Sequence, residues 1–191
     1  AALAARRTTV VNELKDTPKI LVVDDEPSSL QLTARVLEQA GYHVITASLG
    51  QDGLRLVTEQ QPDLILLDVV LPDANGIELC QKIKNAPQSN NTYVVLLSAS
   101  ETGSLSQAAG LEAGADGYIA RPVSNRELTA RVRAMFRLKQ TEEKLRRHEQ
   151  ALRESRQFLQ SALDALSANI AVLDQDGTII AVNASWCRFG R

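Results

Sequence analysis

Five short apolar runs, separated by stretches with helical spacing, constrain the fold of this chain more than any other feature. The clearest runs occupy residues 20–23, 64–67 and 93–97, and two further runs occupy residues 42–47 and 117–120. Apolar runs of this length, bounded by turn-forming residues, are typical of strands that are buried on both faces of a parallel sheet. They predict an α/β fold, a doubly wound sheet of five parallel strands.

The segments between these runs carry the periodicity of helices, so strands and helices alternate along the chain. The first helix is expected to bury Leu30, Ala34 and Leu37 on one face and to end at Gly41. Further helices are predicted over residues 49–60, 76–85 and 105–113. This βα repeat assigns one domain to residues 19–137, preceded by an N-terminal segment over residues 1–18.

Composition excludes several classes of protein. Hydrophobic residues make up 44% of the chain, which is enough for a packed core, and the formal net charge of −2 gives no overall field that would attract nucleic acid. No apolar run approaches the roughly 20 residues that span a bilayer. Cys80 and Cys187 lack metal-ligand spacing. A cytoplasmic protein is therefore expected, without a nucleic-acid or membrane partner within this chain.

Polar side chains stand at the ends of four predicted strands. The first strand leads into Asp24 and Asp25, the third ends at Asp68, the fourth ends at Ser98, and the fifth leads to Arg121. Open α/β sheets bind their ligands outside the carboxyl ends of the strands. These five residues are therefore expected to converge on one rim of the sheet.

This combination of side chains suits phosphoryl transfer. Three neighbouring carboxylates repel one another unless a cation lies among them, and Mg²⁺ is a hard cation that prefers oxygen ligands. A carboxylate can attack phosphorus while a metal ion and a fixed positive charge neutralise the phosphoryl oxygens. The residues therefore predict a site that binds Mg²⁺ and takes part in phosphoryl transfer.

Four sequence segments resemble the bacterial two-component receiver domains. They are ILVVDDEP at residues 20–27, LLDVVLPDANG at 66–76, LLSA at 96–99 and GADGYIARP at 114–122, in the order and spacing of that family. The resemblance implies a flavodoxin-like receiver that accepts a phosphoryl group from a sensor histidine kinase or phosphotransfer protein. Such a domain catalyses its own phosphorylation and dephosphorylation, and any output enzyme is expected outside this chain.

The resemblance also implies roles for individual residues. Asp68 corresponds to the phospho-acceptor. Asp25, together with Asp24 acting largely through water, corresponds to the residues that position Mg²⁺. The backbone carbonyl of Val70 corresponds to a further metal ligand.

Three more positions concern the response to phosphorylation. Ser98 corresponds to the switch hydroxyl that bonds the phosphoryl group, and Tyr118 corresponds to the switch aromatic residue. Arg121 stands where the family normally has lysine. Arginine keeps the positive charge but replaces a compact ammonium with a planar fork. A bidentate pair between Arg121 and Asp68 is one expectation for the unphosphorylated state.

A leucine repeat follows the predicted receiver. Residues 124–166 contain neither proline nor glycine, and leucine recurs every seven residues at positions 138, 145, 152, 159 and 166. This spacing predicts a coiled-coil signalling helix over residues 138–167 and a homodimer formed through it. Two sets of companion core positions remain open, and neither is strongly apolar. The sets are Glu142, Glu149, Arg156 and Leu163, or Thr141, His148, Ser155 and Ala162.

The last segment predicts a β-hairpin. The apolar residues 170–173 and a second strand-like segment, residues 178–182, flank the turn signal Asp176-Gly177, and Asn183 is placed to cap a following helix. The segment over residues 168–191 resembles the beginning of a PAS sensory domain. The remainder of that domain and the output module are expected outside this chain.

Other functions were weighed against the receiver. Arg121 motivates a phosphorylation-independent pseudo-receiver that acts as a dimerisation scaffold. A phosphatase with an aspartate nucleophile would have a second aspartate two residues after Asp68, where this chain has Val70. A nicotinamide-binding site is disfavoured because no G-x-G-x-x-G follows the first strand. His148 lacks the surrounding pattern of a histidine-kinase phospho-acceptor.

Overall fold

The computed structural model describes residues 17–89, 91–99 and 104–189. The predicted segment 1–18 lies outside the described residues except for its last two. The chain divides into two compact units, the first ending at Phe136 and the second beginning at Arg137.

The first unit is built on one five-stranded sheet. Its strands are β1 (Lys19–Val23), β2 (His43–Ala47), β3 (Leu64–Asp68), β4 (Tyr93–Ala99) and β5 (Gly117–Arg121). All neighbouring strands run parallel, in the order β2-β1-β3-β4-β5. The predicted five-stranded parallel α/β fold is confirmed. The strand boundaries differ slightly. Strand β2 begins after Tyr42, because the Tyr42 amide bonds to the Leu37 carbonyl and closes the preceding helix.

Helices connect the strands and cover both faces of the sheet. They are α1 (Pro27–Gln39), α2 (Gly50–Gln60), α3 (Gly76–Asn85), α4 (Ser104–Glu112) and α5 (Asn125–Asp164), with a short 3₁₀ turn at Pro87–Ser89. The observed α4 begins and ends one residue before the predicted helix over residues 105–113.

Alternation along the strands produces two hydrophobic cores, one on each face. In β1, Leu21 and Val23 pack into a core with residues of α2 and α3, while Ile20 and Val22 pack into a core with α1 and the start of α5. Each fully buried aliphatic side chain contributes about 1.5–3 kcal/mol. The two-sided burial explains why residues 20–23 and 64–67 are apolar without interruption, and it leaves the carboxyl ends of these strands for polar residues.

The second unit contains the rest of α5 and a β-hairpin. Strands β6 (Ala171–Leu173) and β7 (Ile179–Val182) pair antiparallel, and a short helix α6 (Ala184–Phe189) follows. Gly177 has a φ of +81°, which supports the predicted turn. Helix α5 ends at Asp164, three residues before the predicted end of the signalling helix at residue 167, because the Leu166 amide bonds to the Leu163 carbonyl in a terminal turn.

Asn183 ties the end of α5 to the hairpin. The residue is fully buried, and its side-chain nitrogen donates to the carbonyls of Leu163, Leu166 and Ala168 at 2.7–3.2 Å. Its side-chain oxygen accepts the amides of Ile170 and Trp186, both at 3.0 Å. The Trp186 bond is the helix cap that the sequence predicted. The same side chain therefore joins the end of α5, the start of the hairpin and helix α6.

Within the part of the chain that the structure describes, none of the helices has the length and apolar character needed to cross a bilayer.

Candidate functional site

Three aspartates lie together at the carboxyl rim of the sheet. Asp24 follows β1 directly, Asp25 comes next, and Asp68 is the last residue of β3. One carboxylate oxygen from each of them lies within 4.8 Å of the others. Asp24 is buried, Asp68 is half-buried and Asp25 is exposed. The convergence predicted from the strand ends is therefore present, and the cluster is open to solvent on the side of Asp25.

The Asp24 side chain is fully buried, and both of its carboxylate oxygens accept hydrogen bonds. Its Oδ1 accepts the Glu26 amide at 3.0 Å, and its Oδ2 accepts the Ser29 hydroxyl at 2.7 Å. The same Oδ2 accepts Nη2 of Arg121 at 2.5 Å. A buried carboxylate is costly unless it is paired and hydrogen-bonded. These bonds therefore fix the Asp24 side chain at the floor of the site.

Arg121 bridges two carboxylates. Its Nη1 donates to Oδ2 of Asp68 at 2.9 Å, while its Nη2 donates to Asp24. The expected bidentate pair with Asp68 alone is wrong. Oδ1 of Asp68 already accepts the Val70 amide at 3.1 Å, so only Oδ2 is used by the arginine, and the second arm of the fork reaches Asp24. The departure from lysine thus has a specific structural consequence, because the planar fork spans both side chains.

The pKa of Asp68 is raised from its ordinary value. Burial is the main cause, and the negative charges of Asp24 and Asp25 act in the same direction. The Val70 amide and the Arg121 guanidinium oppose this effect but do not cancel it. The site consequently disfavours a third negative charge unless further positive charge enters.

The donor set fits a hard divalent cation. Carboxylate oxygens from three residues lie close enough to face one ion, and such oxygens are the ligands that Mg²⁺ takes. One exposed member leaves room for the water molecules that Mg²⁺ usually retains. Val70, predicted to contribute its carbonyl, follows two residues after Asp68 and is 67% exposed.

The loop after β3 is fixed at both ends, and two of the residues that hold it, Asn75 and Gly76, have no predicted role. Val70 pairs with Asn75 in an isolated antiparallel bridge, and the Asn75 side chain caps α3 by accepting the Ile77 amide at 2.8 Å. Gly76 packs against the backbone of Asp68 so closely that a Cβ would overlap the Asp68 carbonyl oxygen. The turn-forming residues of the segment PDANG are the feature of the sequence that could have indicated this tightly fixed loop.

Asp73 connects this loop to the neighbouring helix. Its two carboxylate oxygens accept the amides of Gly50 and Gln51 at 2.8 and 3.0 Å, at the start of α2. These two bonds lower the pKa of the Asp73 carboxyl, and the bond from the Gln51 amide has the larger effect. Because Asp73 is 23 residues away from Gly50 along the chain, local sequence patterns could not reveal this contact.

The two predicted switch residues lie on adjacent strands. Ser98 is buried in β4, one residue beyond Leu97, which is the register partner of Asp68. Tyr118 lies in β5 opposite Leu96 and is partly buried against the core on the α2 and α3 face. The sheet therefore brings Ser98 to the rim next to Asp68. On β5 the residue paired with Ser98 is Ala120, and Tyr118 lies two residues before it, further from the rim.

Comparison with known proteins gives a consistent answer. Residues 20–133, more than half of the 191-residue chain, match the family model described as the response regulator receiver domain. The alkaline phosphatase synthesis transcriptional regulatory protein PhoP of Bacillus subtilis (strain 168) is 44% identical over 119 residues, which cover 62% of this chain and 48% of that protein. This chain therefore spans about half the length of the curated relatives it matches.

Solved structures show the same similarity. A response regulator receiver domain protein (CheY-like) from Methanospirillum hungatei JF-1 is 29% identical with a TM-score of 0.63, and the match covers 66% of this chain and 99% of that one. The BeF3-activated N-terminal receiver domain of Klebsiella pneumoniae RstA is 31% identical with a TM-score of 0.56, covering 61% and 96%.

Proposed function

This chain belongs to the response regulator receiver family, and on that premise we propose that it accepts a phosphoryl group on Asp68 in a reaction that depends on Mg²⁺. The observation that carries the proposal is the joint position of three carboxylates and one guanidinium at a single rim of the sheet. The donor would be the phosphohistidine of a sensor histidine kinase or phosphotransfer protein.

Each residue of the rim has a part in the proposed reaction. An oxygen of the Asp68 carboxylate attacks phosphorus, an acyl phosphate forms, and the bond from phosphorus to the donor nitrogen breaks. Asp24, Asp25, Asp68 and the Val70 carbonyl would hold Mg²⁺, which when bound would neutralise charge on the phosphoryl oxygens. Arg121 supplies a second positive charge.

Ser98 and Tyr118 would read the result. The Ser98 hydroxyl, at the rim beside Asp68, would donate a hydrogen bond to a phosphoryl oxygen. If β4 shifted when this bond formed, the shift would change the position of Tyr118, because Ser98 and Tyr118 lie on paired strands. This assigns Ser98 and Tyr118 to the switch, while Asp68, Arg121 and also Ser98 take part in the transfer itself.

A phosphoryl mimic tests the proposal without a partner kinase. The RstA relative is described as BeF3-activated. Together with Mg²⁺, beryllofluoride is expected to raise the melting temperature of this chain, because a ligand that binds only the folded state stabilises it. Mg²⁺ alone, or beryllium and fluoride without Mg²⁺, should give a smaller shift. Asp25→Asn should weaken the response, since it removes an exposed metal-facing oxygen.

The same experiment separates the receiver from the pseudo-receiver. The pairing of Arg121 with Asp68 is the observation that favours a scaffold without phosphorylation. If the full mixture left the melting temperature unchanged while the protein stayed folded, Asp68 would be closed to ligands and the scaffold would be the better description.

We further propose that residues 19–137 form the receiver, that residues 138–167 form a parallel dimeric signalling helix, and that residues 168–191 begin a PAS domain. The five leucines of the stripe support the dimer, because they are between 49% and 72% exposed in the single chain. Four of them, Leu138, Leu145, Leu152 and Leu159, lie on one face of α5, and Leu166 follows its end. Such a row of leucines needs an apolar partner, and a second copy supplies the same row. Phosphorylation would then change the pairing of the two helices.

A substitution within the stripe tests the dimer. We expect the full chain to sediment as a dimer at micromolar concentration and Leu152→Glu to shift it toward the monomer, because a charge would enter the seam. Leu152 is 72% exposed in the single chain, so its loss should leave each monomer folded. Arg153→Glu introduces the same side chain one position off the stripe and is the matched control. A monomeric wild type, or equal effects of both variants, would contradict the proposal.

A further inference from the structure

Every oxygen of the two innermost carboxylates already accepts a hydrogen bond. In Asp24, Oδ1 is occupied by the Glu26 amide and Oδ2 by Ser29 and Arg121. In Asp68, Oδ1 is occupied by the Val70 amide and Oδ2 by Arg121. A metal ion that binds these two side chains directly must therefore share an oxygen with an existing donor, and at Oδ2 of both side chains that donor is Arg121.

Among these donors Arg121 is the charged one, and it can give way without moving the backbone. The Glu26 and Val70 donors are backbone amides of the loops that follow β1 and β3, so moving them would distort the chain. The Arg121 guanidinium is carried on a long side chain that is 22% exposed, so it can swing toward solvent without moving β5. It is also the donor that repels a metal ion, since both are positively charged.

We propose that Arg121 acts as a built-in counter-ion that competes with the divalent cation for Asp24 and Asp68. In the metal-free state its fork closes the site by spanning both carboxylates, and metal binding displaces Nη2 from Asp24. This inference rests on the metal site of the proposed function and deepens it. Arg121 thereby sets the concentration of Mg²⁺ at which the receiver becomes able to react.

The fork of arginine is essential to this role. An ammonium at the same place is a compact point charge and lacks two separated nitrogen donors in one plane. Lysine can pair with Asp68 but would hold Asp24 less firmly at the same time. The competition should therefore be strongest with arginine, weaker with lysine, and absent with a neutral side chain.

Metal titration of the full chain provides the test. Calorimetry with Mg²⁺, repeated with Mn²⁺, should give a dissociation constant about tenfold or more lower for Arg121→Gln than for wild type, with Arg121→Lys in between. Arg126→Gln removes an exposed arginine of α5 and is the matched control, expected to bind like wild type. The readout is metal binding alone and requires no phosphoryl donor.

A second measurement covers the case in which Arg121→Gln fails to fold, since it leaves Asp24 buried without its cation. In wild type, the side-chain Nε–H signal of Arg121, assigned by its loss in Arg121→Lys, should shift on addition of Mg²⁺ and saturate with the calorimetric constant. An Arg121 signal that stayed unchanged at saturating Mg²⁺ would overturn the competition.

The outcomes distinguish this inference from the function on which it rests. Equal or weaker metal binding in Arg121→Lys and Arg121→Gln would overturn the competition and leave the metal-dependent receiver standing. No metal binding by the wild type or either Arg121 variant would overturn the proposed function, and the inference with it. Metal binding that is tightest in Arg121→Gln, intermediate in Arg121→Lys and weakest in wild type supports both.

Discussion

Asp68→Asn is expected to reduce labelling by acetyl phosphate and Mg²⁺ by about a hundredfold or more, to background, because it removes the attacking oxygen. Intact-mass measurement should show one added phosphoryl group on wild type and none on the variant. Asp52→Asn, the same change at a partly exposed aspartate of α2 away from the rim, should label like wild type. Equal labelling of wild type and Asp68→Asn would remove Asp68 from the acceptor role.

The loss should not come from unfolding, and the pKa of Asp68 gives the reason. Burial raises this pKa, so ionised Asp68 opposes folding once the pH exceeds the folded-state pKa. Stability linked to this group is complete below the unfolded pKa of about 3.9 and is lost as the pH rises through the folded value. Asp68→Asn removes that loss. We therefore compare the melting temperatures of variant and wild type without metal. The variant's melting temperature minus that of wild type should be larger at about pH 7 than at about pH 3.5.

Gly76→Ala should produce the largest loss of stability, about 3 kcal/mol or more in the free energy of unfolding. A Cβ would overlap the Asp68 carbonyl oxygen and lie 2.9 Å from the Asp68 carbonyl carbon and from Cα of Val69. These are backbone atoms, so the loop itself must move. Because that loop connects Asp68 to α3, the variant should also bind Mg²⁺ more weakly at temperatures where it remains folded.

Gly53→Ala is the matched control for this prediction. A Cβ at this position would lie 3.0 Å from a side-chain methyl of Val23, which can adjust, and alanine favours the helix by about 1 kcal/mol over glycine. Denaturant unfolding should therefore place Gly53→Ala within about 1 kcal/mol of wild type. Equal destabilisation of both variants would show that the contact with Asp68 is not special.

The fold could be predicted because its signals are local. Strands such as β1 and β3 are apolar on both faces, and a polar residue directly follows each buried run. The same segments therefore predict the strands, the parallel sheet and the polar residues at its carboxyl rim. The predicted strand and helix boundaries were less accurate and differ from the observed ones by one to three residues. They depend on individual hydrogen bonds, such as the one from Tyr42 to Leu37 that delays β2.

The internal contacts of the site could not be predicted in the same way. That Arg121 spans Asp24 and Asp68 depends on the reach of one side chain and on the Val70 amide that occupies an Asp68 oxygen. The bond from Gly50 to Asp73 joins two loops that are distant in sequence. Such contacts follow from the assembled backbone, and residue type alone indicates only that a charge or a turn is present.

The buried amide of Asn183 has a practical consequence for building chimeras. Three carbonyls at the end of α5 depend on this side chain, and two further bonds join the same elements. Gln160 donates to the Val182 carbonyl at 3.1 Å, and Asp164 accepts the Ala184 amide at 2.7 Å. A recombination point inside residues 160–184 would separate these partners. Exchanging the receiver for a different input module should therefore be done upstream of Gln160, so that the helix end and the hairpin are inherited together.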